Sequence, residues 1–497
     1  MKTRFYLILC CYTIFMSSWA VVYAQLPYNN TAISGDEFSS FIGSGKVEFK
    51  DHGMELTTKA NETNGVFLNE VLLASERGFI LGFDYLMTGR GGDASGQGAH
   101  GLALVLFDGS LNNPTIGSKT SGLGYSYSKA TDATKAVQGV SKGFLSIGLD
   151  LYGDFKERTA LDTEFRNGIK MTRKQSNHIT VRGQGNQLEG YPVLLSQSVT
   201  AIGDRYKLDL DTGVYRSVFD APDSKGFSFK LRENKVNNES DINASFGHAS
   251  YRRVIVNFLP GKKSGDSGFY LNVDIIHGSE TSRVINALFI PINSNFKYQE
   301  ATSITANTLK VKQIIAPTFL KIGFTATTGT VFQKNIIRNI SMSLPFSPVV
   351  QDVQVSNACK DHTTTLDVLA NSVGFDTDKY VEGQNIAAVG SKEHLDPYSF
   401  NFLTLVDNER ENTLEPYVAV TAAGRYEYNP QTMEVVFIPK KGLTAGQDVV
   451  YFSIKNKRKV VGDIDLGGEQ YRSESAKIEL NFTHNCNDII MVNGSAL

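Results

Sequence analysis

Short strand-like runs are the feature that most limits what this chain can fold into. Segments rich in Val, Ile, Phe, Tyr and Thr are bounded by clusters of Gly, Asn, Asp and Ser along the sequence, as in residues 78–85, 102–107, 251–258 and 269–276. Several alternate apolar and polar residues, as the strands of a half-buried sheet do. No apolar pattern with the helical period extends beyond about three turns. The sequence therefore predicts an all-β protein built from sandwiches.

The amino terminus has the pattern of an export signal. Residues 1–4 are basic, residues 5–24 are almost uncharged, and small residues stand three and one positions before Gln25. This order predicts a signal peptide over residues 1–24 that is cleaved. An uncleaved anchor is the alternative, although the run is only just long enough to cross a bilayer. No later segment predicts a transmembrane span, so the mature chain is expected outside the cytoplasm, secreted or at the cell surface.

The length predicts more than one domain. Without the signal, roughly 470 residues remain, which is too many for one ordinary core. Two prolines within residues 343–348 would interrupt the hydrogen bonds between strands, and the residue pattern of the sequence changes there. We expect a large domain over 25–346, a second over 349–486 and a tail over 487–497. The long polar stretches of the first domain are expected to be loops between strands.

Charge and cysteine content narrow the choice of partner and compartment. Lys and Arg number 49 against 51 Asp and Glu, without a block of like charge, so no nucleic-acid partner is expected and the balance favours a neutral ligand. Cys10 and Cys11 lie in the predicted signal, which leaves Cys359 and Cys486. In an oxidising compartment these two predict one disulfide. Two separately buried thiols are the alternative, because sequence does not give their distance.

Three segments of the first domain carry its most specific pattern. Residues 98–107 (GAHGLALVLF) join a glycine-rich loop to an uninterrupted apolar strand, and residues 121–125 (SGLGY) form a second glycine loop. Residues 143–155 (GFLSIGLDLYGDF) join a strand to a loop in which Asp150, Tyr152 and Asp154 stand at alternate positions. Residues two apart on an extended chain point the same way, so their oxygens can surround one hard cation.

These segments, in this order, resemble the legume-type lectin family. Residues 177–183 (NHITVRG) and 316–329 (APTFLKIGFTATTG) extend the resemblance, which covers about residues 78–343 and is nearer to bacterial members than to plant ones. It implies a legume-lectin-like jelly-roll sandwich that binds glycans or glycoconjugates.

The resemblance also implies a set of sugar-binding residues. They are His100, Gly122, Gly124, Tyr125, Asp154, Thr328 and Gly329. In the family an aspartate that accepts hydrogen bonds from sugar hydroxyls stands where this chain has His100. The backbone amides near Gly122 and Gly124 are expected to approach the sugar, and Tyr125 or Tyr152 to stack on it. An imidazole offers one acceptor where a carboxylate offers several, so His100 leaves the activity of the site open.

A calcium site is implied beside the sugar. Asp150 and Asp154 would supply carboxylates, the Tyr152 carbonyl would lie between them, and Asp162 would be a further carboxylate. The ion would order the loop and take no chemical step. Two solvated loop aspartates are the alternative.

A second metal of the plant type is not expected. The family's transition-metal glutamate falls at Gly148, which has no ligating side chain, and the last member of that pair resembles His178. A lone histidine at the start of a strand is more often a hydrogen-bonded structural residue than a ligand.

The second domain resembles immunoglobulin- or cadherin-like modules of bacterial surface proteins. The resemblance rests on residues such as 366–371 (LDVLAN) and on the alternating strand 449–454 (VVYFSI). Asp376 and Asp378 are calcium candidates on this basis, although two aspartates in a turn are usually turn residues. A spacer role is expected for this domain.

The leading hypothesis is a carbohydrate-binding, adhesin-like surface or secreted protein, assisted by calcium and not an enzyme. One alternative is a structural surface protein whose sugar site has decayed, which His100 and Gly148 favour. Another is a glycoside hydrolase, which needs two carboxylates facing each other across the sugar. The positions alternating with Asp150 are Gly148 and Tyr152, so the expected acidic pattern is missing.

Overall fold

The computed structural model describes most of the chain after residue 25. The described ranges are 26–69, 73–89, 99–158, 164–169, 176–200, 205–217, 227–232, 239–331, 333–381, 383, 390–406, 409–444, 446–461 and 464–484. The predicted signal peptide, the tail over 487–497, Asp162 and Cys486 lie outside them. Within them there are strands and short 3-10 helices and no α-helix, which confirms the all-β prediction.

Residues 28–343 form two large sheets that face each other. The eight-stranded sheet has the order β20 (Glu280–Pro291), β19 (Asp266–His277), β18 (Arg252–Lys263), β7 (Phe79–Thr88), β24 (Lys334–Ser343), β4 (Gly53–Thr57) and β3 (Glu48–Lys50), with β1 (Tyr28–Asn30) on β24. The twelve-stranded sheet has the order β17 (Val214–Ser217), β16 (Arg205–Asp209), β15 (Val193–Ser198), β12 (His178–Arg182), β10 (Gly143–Asp150), β8 (Gly101–Asp108), β23 (Phe319–Thr327), β5 (Thr63–Leu68) and β2 (Phe38–Ser40). Three short strands complete it: β6 (Leu73–Ala74) pairs with β23, β13 (Gly185–Asn186) pairs with β10, and β14 (Glu189–Gly190) pairs with β13.

Strand β8 is buried on both faces, which explains its uninterrupted apolar sequence. Leu102, Leu104 and Leu106 enter the core between the two sheets. Ala103 and Phe107 enter a second apolar layer on the outer face. That layer is closed by residues of the segment predicted as a long inserted loop, among them Ile116, Leu123, Tyr125 and Val140. The loop therefore covers the outer face of the twelve-stranded sheet.

Residues 353–484 form a second, smaller sandwich. One sheet has the order β25 (Val353–Cys359), β35 (Ala476–His484), β32 (Gly446–Asn456), β27 (Leu395–Val406) and β28 (Glu409–Asn412). The other has the order β26 (Thr364–Leu366), β31 (Glu434–Pro439), β30 (Gly424–Asn429) and β29 (Val418–Val420). Their facing sides share a separate aromatic-rich core. The immunoglobulin- or cadherin-like identity of this sandwich stays a prediction.

The remaining elements are small. Three two-stranded sheets pair β9 (Lys129–Ala130) with β11 (Glu164–Phe165), β21 (Asn295–Ala301) with β22 (Asn307–Gln313), and β33 (Val460–Val461) with β34 (Ile464–Asp465). The 3-10 helices are Ser75–Arg77, Thr120–Gly122, Ala133–Lys135, Glu239–Asn243, Lys392–His394 and Glu469–Tyr471.

The segment between the sandwiches is buried. Phe346 lies between the end of β24 and the start of β25 and packs edge-on against Phe375, Tyr380 and Tyr471, with ring centroids 5.1–5.4 Å apart. The domain boundaries at 346 and 349 stay a prediction, but the prolines there do not mark an exposed linker.

Cys359 ends β25 and is in register with His484 of the parallel strand β35. Cys359 is disulfide-bonded. Because Cys486 lies outside the described residues, its pairing with Cys359 stays a prediction.

Asp376 and Asp378, the calcium candidates of the second domain, both pair with lysines. Asp376 Oδ2 lies 2.9 Å from Lys379 Nζ, and Asp378 Oδ1 lies 3.2 Å from Lys459 Nζ. These carboxylates therefore act as turn and ion-pair residues, and the calcium interpretation is corrected. In the part of the chain that the structure describes, no helix has the length and apolar composition that crossing a membrane requires.

Candidate functional site

A polar row crosses the end of the twelve-stranded sheet. Asp150 of β10 is in register with Gly101 of β8 on one side and with His178 of β12 on the other. Gly101 is in turn in register with Thr327 of β23. Residues in cross-strand register present their side chains on the same face. The row therefore brings four of the predicted segments, 98–107, 143–155, 177–183 and 316–329, to one place, which we call the sheet-end site.

Gly101 is required where it stands. Its φ is +135°, and a Cβ there would lie 2.1 Å from the Leu149 carbonyl oxygen. Only glycine combines that conformation with so close an approach. The turn carries His100, whose carbonyl accepts hydrogen bonds from the amides of Leu151 at 2.9 Å and Tyr152 at 3.4 Å.

His100 and Asp154 form the centre of the site. His100 Nδ1 lies 3.2 Å from Asp154 Oδ1 and 3.1 Å from Oδ2. The imidazole side chain is 15% exposed and the carboxylate 2%. The Tyr152 ring lies edge-on to the imidazole, with centroids 5.3 Å apart. The structure thus brings together three predicted residues, with the imidazole and the phenol ring on the solvent side.

Gly329 adjoins this pair, whereas Thr328 does not contribute a free hydroxyl. A Cβ on Gly329 would lie 3.0 Å from His100 Nε2, so the glycine leaves room at that nitrogen. Thr328 is fully buried; its hydroxyl donates to the Lys59 carbonyl at 2.6 Å and accepts the Glu62 amide at 2.9 Å. A ligand-binding role for the Thr328 side chain is therefore corrected to support of the loop.

The glycine loop of residues 121–125 is closed to a ligand. The amide of Gly122 donates to the Lys119 carbonyl at 3.1 Å and that of Gly124 to Ser118 at 3.0 Å. Tyr125 is fully buried, and its hydroxyl donates to the Gly183 carbonyl at 3.0 Å. These amides and the Tyr125 hydroxyl have partners inside the protein, and their contacts with a sugar stay a prediction.

Asp150 organises the loop that follows it. The carboxylate is fully buried and accepts the amides of Gly153 at 2.6 Å and Phe155 at 2.7 Å. Burial, and then the neighbouring Asp154 charge, raise the pKa of Asp150 to about 7, and the Lys156 charge opposes the rise. The Asp150 carboxylate therefore has a structural task and no exposed surface.

Two of the predicted calcium ligands, Asp150 and Asp154, have other partners within the protein. Lys156, fully buried, already provides a cation in this loop, and its Nζ donates to the Gly153 carbonyl at 2.7 Å. Both Asp150 oxygens bond backbone amides. Among the described residues no group of three or more His, Cys, Asp and Glu is placed to hold a metal. The ligand set of Asp150, Tyr152 and Asp154 stays a prediction, and Asp162 lies outside the described residues.

Gly148 and His178 also have structural roles. A Cβ on Gly148 would lie 2.4 Å from the Phe155 ring, which covers this point of β10. His178 is fully buried, and its Nδ1 lies 2.9 Å from Ser196 Oγ. The absence of a second metal stays a prediction.

Two buried arginines beneath the site were missed by sequence reasoning. Arg182 donates to the carbonyls of Phe155, Asn167 and Tyr191, and burial lowers its pKa to about 10. Arg166 is also fully buried, and no guanidinium nitrogen of it has a hydrogen-bond partner in the described structure. A charged residue inside the apolar strand of residues 177–183 was the available signal for Arg182, but the sequence around Arg166 had none.

Comparison with known proteins gives similarity of structure only. No family model and no curated protein matches the sequence. Among solved structures, the chain is similar to the VIP36 exoplasmic/lumenal domain in its Ca²⁺- and mannose-bound form, with 12% identity, 62% of this chain and 83% of that chain covered, and a TM-score of 0.32. It is also similar to the lectin-like defence protein arcelin-5 from Phaseolus vulgaris, with 10% identity, 63% and 96% covered, and a TM-score of 0.28.

A third similar structure is the legume lectin-like domain from Entamoeba histolytica, with 8% identity, 62% and 90% covered, and a TM-score of 0.28. At these values no residue role passes from the matched proteins to this chain.

Proposed function

We propose that the chain binds carbohydrate through His100, Asp154 and Tyr152 at the sheet-end site. The observation that carries the proposal is the His100–Asp154 pair, held by backbone hydrogen bonds at a partly exposed loop. In the neutral tautomer that donates Nδ1–H to Asp154, His100 Nε2 is an acceptor for a sugar hydroxyl. The adjoining Tyr152 ring offers an apolar face to the C–H side of a sugar.

Lys156 takes the part that calcium was expected to play. Its buried ammonium and the two amide bonds to Asp150 hold the loop in place. Preorganised loops bind with a smaller loss of conformational entropy. In this proposal glycan binding is independent of calcium, and the protein takes no chemical step.

The wider biological role belongs to the same proposal. In this proposal the protein acts outside the cytoplasm, either secreted or at a cell surface. The second sandwich is a spacer, and the role of the whole protein is adhesion. A hydrolase is disfavoured because Asp150 is fully buried and bonded to two amides, so it does not face a sugar together with Asp154.

The structural alternative keeps specific support. The closed amides of Gly122 and Gly124 and the buried Tyr125 are what a decayed sugar site would show. In that case the chain would mediate protein contacts in a surface assembly.

A glycan array separates the two functions. The full mature chain should bind a subset of glycans, His100→Ala should bind fewer of them or bind them more weakly, and binding in EDTA should equal binding in Ca²⁺. His362→Ala is the matched control, since this histidine lies in the second sandwich and is 50% exposed. Absence of any glycan binding by the wild type, or unchanged binding by His100→Ala, would reject the proposed site in favour of the alternative.

A further inference from the structure

A cavity separate from the sheet-end site lies on the outer face of the eight-stranded sheet. It has a volume of about 470 Å³ and is bordered by Asp84, Phe246, Tyr251, Arg338 and Asn339, among others. Asp84 alternates along β7 with the core residues Phe83 and Tyr85, so it points away from the core. We call this cavity the bulge pocket. It shares no residue with the sheet-end site.

A β-bulge shapes its floor. The register between β24 and β7 shifts between Arg338 and Ser341, and Asn339 within this stretch has a φ of +49°. Bulges redirect side chains and are frequent beside binding sites. Here the bulge turns the Asn339 amide toward Asp84, and Asn339 Nδ2 donates to Asp84 Oδ2 at 2.8 Å.

The Asp84 carboxylate is a hydrogen-bond acceptor whose orientation is fixed by neighbouring donors and whose negative charge is balanced by Arg253. Its Oδ1 accepts hydrogen bonds from Arg253 NH1 at 2.7 Å and from the Tyr251 hydroxyl at 3.1 Å. With the Asn339 bond this makes three donors, whereas a carboxylate has about four acceptor sites. The ion pair with Arg253 disfavours a cationic ligand. The remaining acceptor capacity suits a neutral group that donates a hydrogen bond, such as a hydroxyl.

An aromatic ring stands at the edge of the same cavity. Phe246 is 65% exposed, and its ring centroid lies 6.2 Å from that of Tyr251, nearly perpendicular to it. Arg338 ties the loop to the bulge, because its guanidinium donates to the carbonyls of Ile242, at 2.7 Å, and Ala244. The exposed ring is therefore held in place beside the polar floor.

We infer that the bulge pocket binds a neutral saccharide, with the C–H face of the sugar on Phe246 and its hydroxyls on Asp84 and Asn339. A sugar combines an apolar face with a hydroxyl edge, and aromatic rings with an apolar face and nearby polar groups are the usual lining of small-ligand sites. The inference does not depend on the proposed function, because the two sites lie on different sheets.

The test uses the full mature chain and four probes, the methyl glycosides of glucose, galactose, mannose and N-acetylglucosamine. Saturation-transfer NMR would follow binding in His100→Ala, which removes the sheet-end contribution. At least one glycoside should still bind, and adding Phe246→Ala should weaken that binding by about tenfold or more. Phe246 is largely exposed, so its removal should not affect folding.

Tyr398→Ala in the same background is the matched control, since Tyr398 is an aromatic residue of equal exposure, 65%, in the second sandwich. It should leave binding unchanged. Two results would overturn the inference: no glycoside binds His100→Ala, or Phe246→Ala does not weaken binding. Failure of the proposed function has a different signature, because His100→Ala would then bind glycans on the array as the wild type does.

Discussion

The sheet-end site and the bulge pocket use charged residues in opposite ways. At the sheet end, Asp150, Lys156 and Arg166 are fully buried, and most of their interactions hold the loops. In the bulge pocket, the charge of Asp84 is compensated by Arg253 and the aromatic edge is open to solvent. Substitutions at the sheet end should therefore change stability as well as binding, whereas substitution of the exposed Phe246 in the bulge pocket should change binding alone.

The largest expected effect is that of Lys156→Met. The change leaves two neighbouring buried carboxylates without their cation, and breaking a buried charge pair costs about 3–5 kcal/mol. We expect a free energy of unfolding lower by that amount in urea denaturation. Lys135→Met, at a lysine whose side chain is 76% exposed, should change it by less than about 0.5 kcal/mol.

A comparison of stability with and without calcium tests the same role of Lys156. The wild type should have the same Tm in Ca²⁺ and in EDTA, because Lys156 already supplies the cation. A Tm that rises with Ca²⁺ in the wild type, or stability unchanged in Lys156→Met, would contradict the role given to this lysine.

Gly148→Ala should have the next largest effect. The new Cβ would lie 2.4 Å from the Phe155 ring, and the fully buried ring has little room to move. Overpacking of this kind costs about 3 kcal/mol at the upper end of its usual range. Gly446→Ala is the control, since nothing lies within 4 Å of a Cβ there. Equal melting temperatures of the two variants would show that Phe155 does not cover β10 tightly.

A smaller effect concerns pH. Because the pKa of Asp150 is raised to about 7, against about 3.9 in an unfolded chain, its protonated form favours the folded state. This contribution is complete below about pH 4 and is lost as the pH rises through about 7. The stability of the wild type relative to Asp150→Asn should fall by roughly 2 kcal/mol between about pH 5 and pH 8. A relative stability that rises over this interval in urea unfolding would refute the burial argument.

The smallest effect on stability is expected for Phe246→Ala. The ring is 65% exposed, so its loss should change the free energy of unfolding by less than about 0.5 kcal/mol. Thermal unfolding beside Tyr398→Ala would measure this. A clearly larger loss would mean that the ring supports the fold, and the contrast between the two regions would then fail.

The predictable part of the site followed from local spacing and from the family resemblance. The short spacing of Asp150 and Asp154 placed them in one segment, and the resemblance to legume-type lectins implied that His100 lies beside them. Their partners were not predictable. Whether an amide such as that of Gly124 is free depends on a carbonyl at Ser118 that only the turn brings within 3.0 Å. Lys156 gave no signal, because a lysine after a loop aspartate is usually solvated.

The sequence by itself determined the all-β class and the glycine turns, because these follow from the period of two and from local residue types. The grouping of His100 with Asp154, 54 positions away, was implied only by the resemblance to legume-type lectins. Only the tertiary structure decided which groups are buried and what they bond. Asp84 meets Tyr251, Arg253 and Asn339 across 167 to 255 positions of sequence. Burial and hydrogen-bond partners depend on such distant contacts. These contacts therefore decide whether a loop that resembles a sugar site is also open to a sugar.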